Sequence, residues 1–160
     1  GPIDYTICFA NPRNQTTNAH QLAMAAIYYN PLTFLYWYDR PDKYAGRQWP
    51  ELAFFDECPT SWEATAALSG AIGEHVAVAR RARGKWYLGA LTNEHARTLT
   101  ISLSFLGRGR WKARRFADGV RAEQAFETPV VLSEELVMAD SQFTLRLAAS
   151  GGQAVIFEPA

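Results

Sequence analysis

The sequence predicts an α+β chain in two parts: residues 1–62 alternate helix with strand, and residues 63–160 form an antiparallel β-sandwich. Three observations carry this. Ala19, Leu22, Ala23 and Ala26 recur at helical spacing and precede the almost wholly apolar run 32–38. Further on, Leu99, Ile101, Leu103 and Phe105 alternate with Thr98, Thr100, Ser102 and Ser104, the period-two signature of a strand with one wet face. Phe143, Leu145 and Leu147 alternate with Thr144 and Arg146 in the same way.

In the first part, a hydroxyl at Thr16 or Thr17 can accept from an otherwise unpaired backbone N–H and so cap a helix over residues 18–30. The small Ala side chains on its narrow face allow close packing against a sheet. Pro31 ends it, because proline lacks the donor and disfavours helix in the residue before it. Residues 32–38 show no polar alternation and are expected to be a parallel strand buried on both faces. A second helical pattern covers 49–57, with Pro50 in the favoured first turn and Pro59 just past the end.

In the second part the expected strands are 74–81, 85–91, 98–105, 110–117, 128–132, 143–147 and 153–158. Gly84, Gly107-Arg108-Gly109, Asp118-Gly119 and Gly151-Gly152 punctuate them. Seven short strands with regular turns imply a sandwich. Its expected core is Leu99, Ile101, Leu103, Phe105, Phe143, Leu145 and Leu147.

Composition narrows the function classes. The chain has 160 residues, 48% of them hydrophobic, with 16 basic and 16 acidic side chains. That balance removes the simplest electrostatic case for nucleic acid or an anionic membrane as partner. Arg80, Arg81, Arg83, Arg108, Arg110, Arg114 and Arg115 make basic patches near aromatics, but acidic residues elsewhere offset them. Aromatics make up 13% of the chain; they suit sugar faces and they also fill cores. Cys8 and Cys58 are too few for a disulfide framework and lack metal-ligand spacing; both are expected to be buried small hydrophobes, with a single bridge between them left open. The longest apolar stretch, 23–37, is broken by Asn30 and Pro31 and is too short to span a bilayer. Gly1-Pro2-Ile3-Asp4 has neither an initiator Met nor a charged leader and reads as an internal start.

An ordered set of segments now adds to this reading: Gly1-Pro2-Ile3-Asp4-Tyr5-Thr6, Ala19-His20-Gln21-Leu22-Ala23, Pro31-Leu32, Pro59-Thr60-Ser61-Trp62-Glu63-Ala64-Thr65, Gly73-Glu74-His75-Val76-Ala77-Val78-Ala79-Arg80-Arg81, Trp86-Tyr87-Leu88-Gly89, Phe105-Leu106-Gly107 and Gly151-Gly152. The chain resembles the C-terminal part of glycoside hydrolase family 97, bacterial α-glucosidases and α-galactosidases. The resemblance implies that residues 1–62 are the last quarter of a β/α (TIM-type) barrel, its strands seven and eight with their helices, and that residues 63–160 are a C-terminal β-sandwich domain. It places the seventh strand at residues 3–6 and the eighth at 32–38. Many relatives have Pro-Gly after the Asp-Tyr-Thr, where this chain has Ile7-Cys8. It further implies that the catalytic carboxylates lie upstream, with calcium bound by upstream residues in some full-length members, and a periplasmic or secreted bacterial parent acting on an oligo- or disaccharide. This chain alone is then expected to be inactive and to hold no cofactor. An alternative role is a carbohydrate-binding or oligomerisation sandwich with no catalytic part.

Barrel enzymes build their sites at the C-terminal ends of the strands. On that template Asp4 and Tyr5, and Tyr38 and Asp39, are candidates for the rim of a substrate pocket. No catalytic, cofactor or metal residue is assigned. Trp86, Tyr87 and Trp111 are candidate glycan-stacking aromatics on the alternative reading. Asp56 with Glu57, and Glu134 with Glu135 in a turn between strands, are read as solvated acids, and His20 as a capping or packing residue. No Gly-x-Ser-x-Gly elbow occurs. The open barrel edge at Leu32, Phe34, Leu35, Tyr36 and Trp37 is expected to recruit a second copy or an upstream segment.

Overall fold

Thr17 starts the first helix as its sequence suggests. Its extended backbone (φ −71°, ψ 163°) leaves the hydroxyl free to accept from His20 N–H at 3.1 Å. In the computed structural model, which describes residues 5–9, 13–37, 49–120 and 129–160, helix α1 runs Asn18–Ile27. It ends three residues before the expected stop. Tyr28 turns extended, and Arg80 donates from Nε to Ala26 O at 2.7 Å and from Nη2 to Ile27 O at 2.9 Å. The helix therefore stops where a side chain from elsewhere takes its last carbonyls, ahead of Pro31.

Strand β1 (Thr6–Phe9) precedes α1, and strand β2 (Phe34–Trp37) follows it; the two pair in parallel, Thr6 opposite Phe34. This is a β-α-β unit, and it is the whole of the parallel sheet among the described residues; no barrel closes. Ile7 and Phe9 are buried, whereas Phe34, Leu35 and Tyr36 are 55%, 44% and 51% exposed. The expectation of a β2 buried on both faces does not hold among the described residues, since successive side chains on both its faces are about half exposed. A 3-10 turn (Pro50–Leu52) leads into α2 (Ala53–Glu57), so the expected single helix over 49–57 is split.

Eight antiparallel strands follow: β3 (Ala64–Ala71), β4 (His75–Ala82), β5 (Lys85–Thr92), β6 (Arg97–Ser102), β7 (Trp111–Asp118), β8 (Val130–Val137), β9 (Gln142–Leu147) and β10 (Gly152–Pro159). Six form one sheet in the order β3-β4-β5-β10-β7-β8, and β6 and β9 form a second. Strand β3 is not among those the sequence predicts: its Ala-Thr-Ala-Ala-Leu-Ser-Gly-Ala carries little strand propensity, and pairing with β4 sets its conformation. Strand β8 runs five residues past the end expected at 132. Glu134 and Glu135 lie inside β8, not in a turn.

The six-stranded sheet is the middle of three layers. On one side Leu88, Val155 and Phe157 meet Ile101, Phe143 and Leu145 of the two-stranded sheet. On the other, Tyr87, Ala154 and Ile156 meet Leu22, Ala23 and Ala26 of α1, Phe54 of α2, and Ile7 and Phe9 of β1. A strand covered on both faces has no wet side, which is why β10 reads Ala-Val-Ile-Phe without alternation. Ile101 is 4% exposed, and Ile101→Ala is expected to cost about 2–5 kcal/mol from lost burial plus the cavity left. A loss under about 0.5 kcal/mol in urea unfolding, the range of a surface change, would refute its core position.

The approach of α1 to the sheet depends on Gly89. A Cβ there would run into the Ala23 carbonyl and the Ile27 side chain. The Ala face of the helix and the missing side chain on β5 are two halves of one contact. Gly89→Ala is expected to cost about 1–3 kcal/mol by overpacking. An unchanged denaturation midpoint would mean that the helix can shift without penalty.

Candidate functional site

Of the four candidate rim residues, Asp4, Tyr38 and Asp39 lie outside the described residues. Tyr5 is half-buried just before β1. Its ring lies 4.8 Å from that of Tyr28, and its hydroxyl is enclosed with no hydrogen-bond partner. Burial pushes the phenol well above its ordinary pKa. The candidate glycan-stacking aromatics are placed differently from expectation. Trp86 and Tyr87 are 7% and 3% exposed, packed edge-on against Phe105 and Trp62, so neither can offer a face to a sugar. Trp111 is half-buried against the sandwich core. Cys8 and Cys58 are both free and half-buried, and burial pushes the Cys58 thiol up to about 12.

The polar side chains concentrate where the β-α-β unit and α2 meet the sandwich. Asp118, at the end of β7, accepts from Thr17 Oγ1 at 2.6 Å, from Ala148 N at 2.8 Å and from Gly152 N at 2.9 Å. Beside it, Thr17 N–H donates to Ser150 O at 3.2 Å, and His20 Nδ1 lies 3.1 Å from Gly151 O. Burial lowers the His20 pKa, with the neighbouring carbonyls opposing it. His20 is a packing residue, in line with the sequence. Arg80 holds the other end of α1, with Nη1 donating to Thr65 Oγ1 at 2.8 Å and the guanidinium 5.7 Å from the Tyr29 ring.

A third attachment joins α2. Glu57 accepts from Arg114 at 2.5 Å and Lys85 at 3.1 Å; Lys85 also pairs with Glu158 at 3.1 Å, and Lys112 with Glu158 at 2.7 Å. The sequence reading of Glu57 as a solvated acid is corrected: the helix end points it at basic residues on β5 and β7. Glu135 is likewise paired, with Arg115 at 2.5 Å. The arginines that looked like basic patches are thus occupied at positions 80, 81, 114 and 115 by carbonyls or carboxylates.

These pairs have a pH signature. Lys112 and then Lys85 hold the Glu158 carboxyl down to about 2, and the Arg114 hydrogen bond holds Glu57 below the carboxylate range. A depressed carboxyl stabilises the fold above its unfolded pKa of about 4.3 and loses that contribution as pH falls through the folded value. Urea stability is expected to fall more steeply between about pH 4.5 and 2 in this chain than in Glu158→Gln. Equal slopes would show that the network does not contribute.

An open groove of about 580 Å³ runs beside the tip of the β3–β4 hairpin, lined by Tyr28, Ile72, Val76 and Leu91 among others. On β8, the outer strand of the sheet, Val131, Leu132 and Leu136 are 50%, 40% and 56% exposed, and Met138 just beyond is 49% exposed. Among the described residues no group of three or more His, Cys, Asp or Glu could hold a metal ion, and no helix is long and apolar enough to cross a membrane. Asp118 and Glu57, the polar centres of the interface, were missed from sequence. In the sequence Asp118 stands only as turn punctuation, and the one signal for it is Gly151, where a Cβ would run into its carboxylate.

Comparison with known proteins fits this arrangement. Residues 61–158, from just before β3 to the penultimate residue of β10, match a family model described as glycosyl-hydrolase 97 C-terminal, oligomerisation. The chain is 33% identical over 168 residues to a retaining alpha-galactosidase of Bacteroides thetaiotaomicron, covering 97% of the chain and 25% of that protein. It is 26% identical over 159 residues to a probable retaining alpha-galactosidase of Streptomyces bingchenggensis, covering 98% of the chain and 23% of that protein. Among solved structures it superposes along its whole length on 27% of a glycoside hydrolase family 97 enzyme in complex with acarbose from Pseudoalteromonas sp. strain K8, with a TM-score of 0.88 and 34% identity. The chain therefore spans about a quarter of the length of these relatives.

Proposed function

We propose, from the premise that this chain belongs to glycoside hydrolase family 97, that it is the non-catalytic C-terminal region of an α-glycosidase, serving oligomerisation and supporting the end of the catalytic barrel. The observation that carries this is the family match over residues 61–158 under a description of oligomerisation. The second role is supported by the interface: α1 is held at its start by Asp118, at its end by Arg80 and along its length by Gly89. On this reading β1 and β2 are the seventh and eighth barrel strands, β1 starting at Thr6 where the strand expected at 3–6 was to end, and the exposed Leu32, Phe34, Leu35 and Tyr36 meet upstream barrel elements in the parent. Tyr38 and Asp39, which follow β2 in the sequence, then contribute to the rim of a pocket whose catalytic carboxylates stand upstream; Tyr5, just before β1, stands at the opposite end of the parallel pair, so the rim role expected for Asp4 and Tyr5 is not carried forward. Calcium, in a parent that binds it, is assigned to upstream residues too. The substrate is an α-linked galactoside or glucoside.

The test is turnover of aryl α-galactoside and aryl α-glucoside by the pure chain. The expected result is no turnover above background, with Asp4→Asn and Asp39→Asn making no difference. Robust activity that falls sharply in either variant would place catalytic chemistry in this chain and overturn the reading. The oligomerisation role is tested separately, by sedimentation.

A further inference from the structure

We infer that β8 is the self-association surface of this chain, pairing antiparallel with β8 of a second copy. The inference rests on the oligomerisation reading above and names the surface that would serve it. The six-stranded sheet has two outer strands. On β3 the pairing register shifts between Ala67 and Ser69, a bulge of the kind that blunts an edge, and apart from Leu68 its side chains are small. By contrast, β8 pairs with β7 in unbroken register from Asp118↔Val130 to Trp111↔Val137, and its outer edge has no partner strand among the described residues. An unpaired straight edge is a template for another strand.

The side chains of β8 fit its own copy. Leu132 and Leu136 lie two residues either side of Glu134, on the same face of the strand. A twofold axis through Glu134 therefore sets Leu132 opposite Leu136 of the second copy, twice over, as a closed symmetric interface requires. The same axis sets Glu134 opposite Glu134 of the copy, a like-charge pair that offsets part of the apolar gain, since Arg114 beside it in the β7–β8 register is engaged by Glu57. Glu135 is paired with Arg115, whose guanidinium lies 3.6 Å from the Phe143 ring. The exposed apolar run on β2 is the competing surface, but it lies outside the stretch that carries the oligomerisation description.

The experiment compares three versions of the chain by sedimentation equilibrium. The parent sequence is expected to dimerise. Leu132→Lys with Leu136→Lys should raise the dissociation constant by about tenfold or more, while Phe34→Lys with Leu35→Lys on β2 should leave the dimer in place. Hydrogen exchange on the unmutated chain, above and below the dissociation constant, covers the case in which the lysines disturb folding. Amides of β8 should slow with concentration and those of β3 should not. A dimer that survives the β8 change, or dissolves with the β2 change, overturns the inference and leaves the oligomerisation reading standing. A parent sequence that stays monomeric at every concentration overturns both.

Discussion

Phe157→Ala is expected to destabilise the chain by about 3–5 kcal/mol, the upper range for truncating a buried aromatic. Phe157 is fully buried on β10, the strand hydrogen-bonded to β5 on one side and β7 on the other. Its ring lies 5.3 Å from that of Phe143 on the two-stranded sheet and 5.8 Å from that of Phe105 in the turn after β6. Phe105 in turn packs on Trp86 at 4.9 Å. Loss of the ring removes the contact through which both sheets and that turn meet. The strand cannot move in to fill the gap, because two neighbours fix its backbone. Urea denaturation measures the cost, and a loss under about 1 kcal/mol would show that the layers collapse onto the cavity after all.

The elements legible in the sequence are those whose burial is one-sided. On β6 and β9 one face meets the core and the other meets water, so Leu99, Ile101, Phe143, Leu145 and Leu147 announce themselves by alternation. On β10 both faces are buried, and the run of apolar residues marks a strand but not what covers it. The helix α1 was readable from its cap and its Ala face, yet its end was not. That end is set by Arg80, 53 residues further along from Ile27, and local propensity carries no trace of such a contact. For the same reason Glu57 looked like a solvated acid: its partners Lys85 and Arg114 come from strands 28 and 57 residues away. The edge strands were the least legible, β3 for want of β-branched residues and β8 because Ser133, Glu134 and Glu135 imitate a turn. The family resemblance was legible because it rests on ordered segments, several of which prove to be contact residues: Arg80, Gly89, His20 and the Gly151-Gly152 pair.

Asp118→Ala is expected to cost about 2–4 kcal/mol and to loosen α1 more than the sandwich. The carboxylate accepts from one hydroxyl and two backbone N–H groups, and hydrogen bonds to a charged acceptor are the stronger kind. With the acceptor gone, Ala148 N and Gly152 N are left facing a small apolar side chain. The site has little room to adapt. A Cβ on Gly151 would collide with the Asp118 carboxylate itself, and one on Gly152 with the His20 backbone, so the turn and the helix start already touch. Asp118 and Thr17 act as one unit, since the threonine hydroxyl both donates to the aspartate and accepts from His20 N–H. Thr17→Ala alone is expected to cost about 1–2 kcal/mol, the usual range for a lost cap. The double variant should then cost less than the sum of the two, by at least about 0.5 kcal/mol. Hydrogen exchange locates the effect: in Asp118→Ala, amides across 18–27 should exchange faster while those of β6 and β9 keep their protection. Additive energies with uniform loss of protection would mean that Asp118 supports the sandwich as a whole and does not tie the β-α-β unit to it.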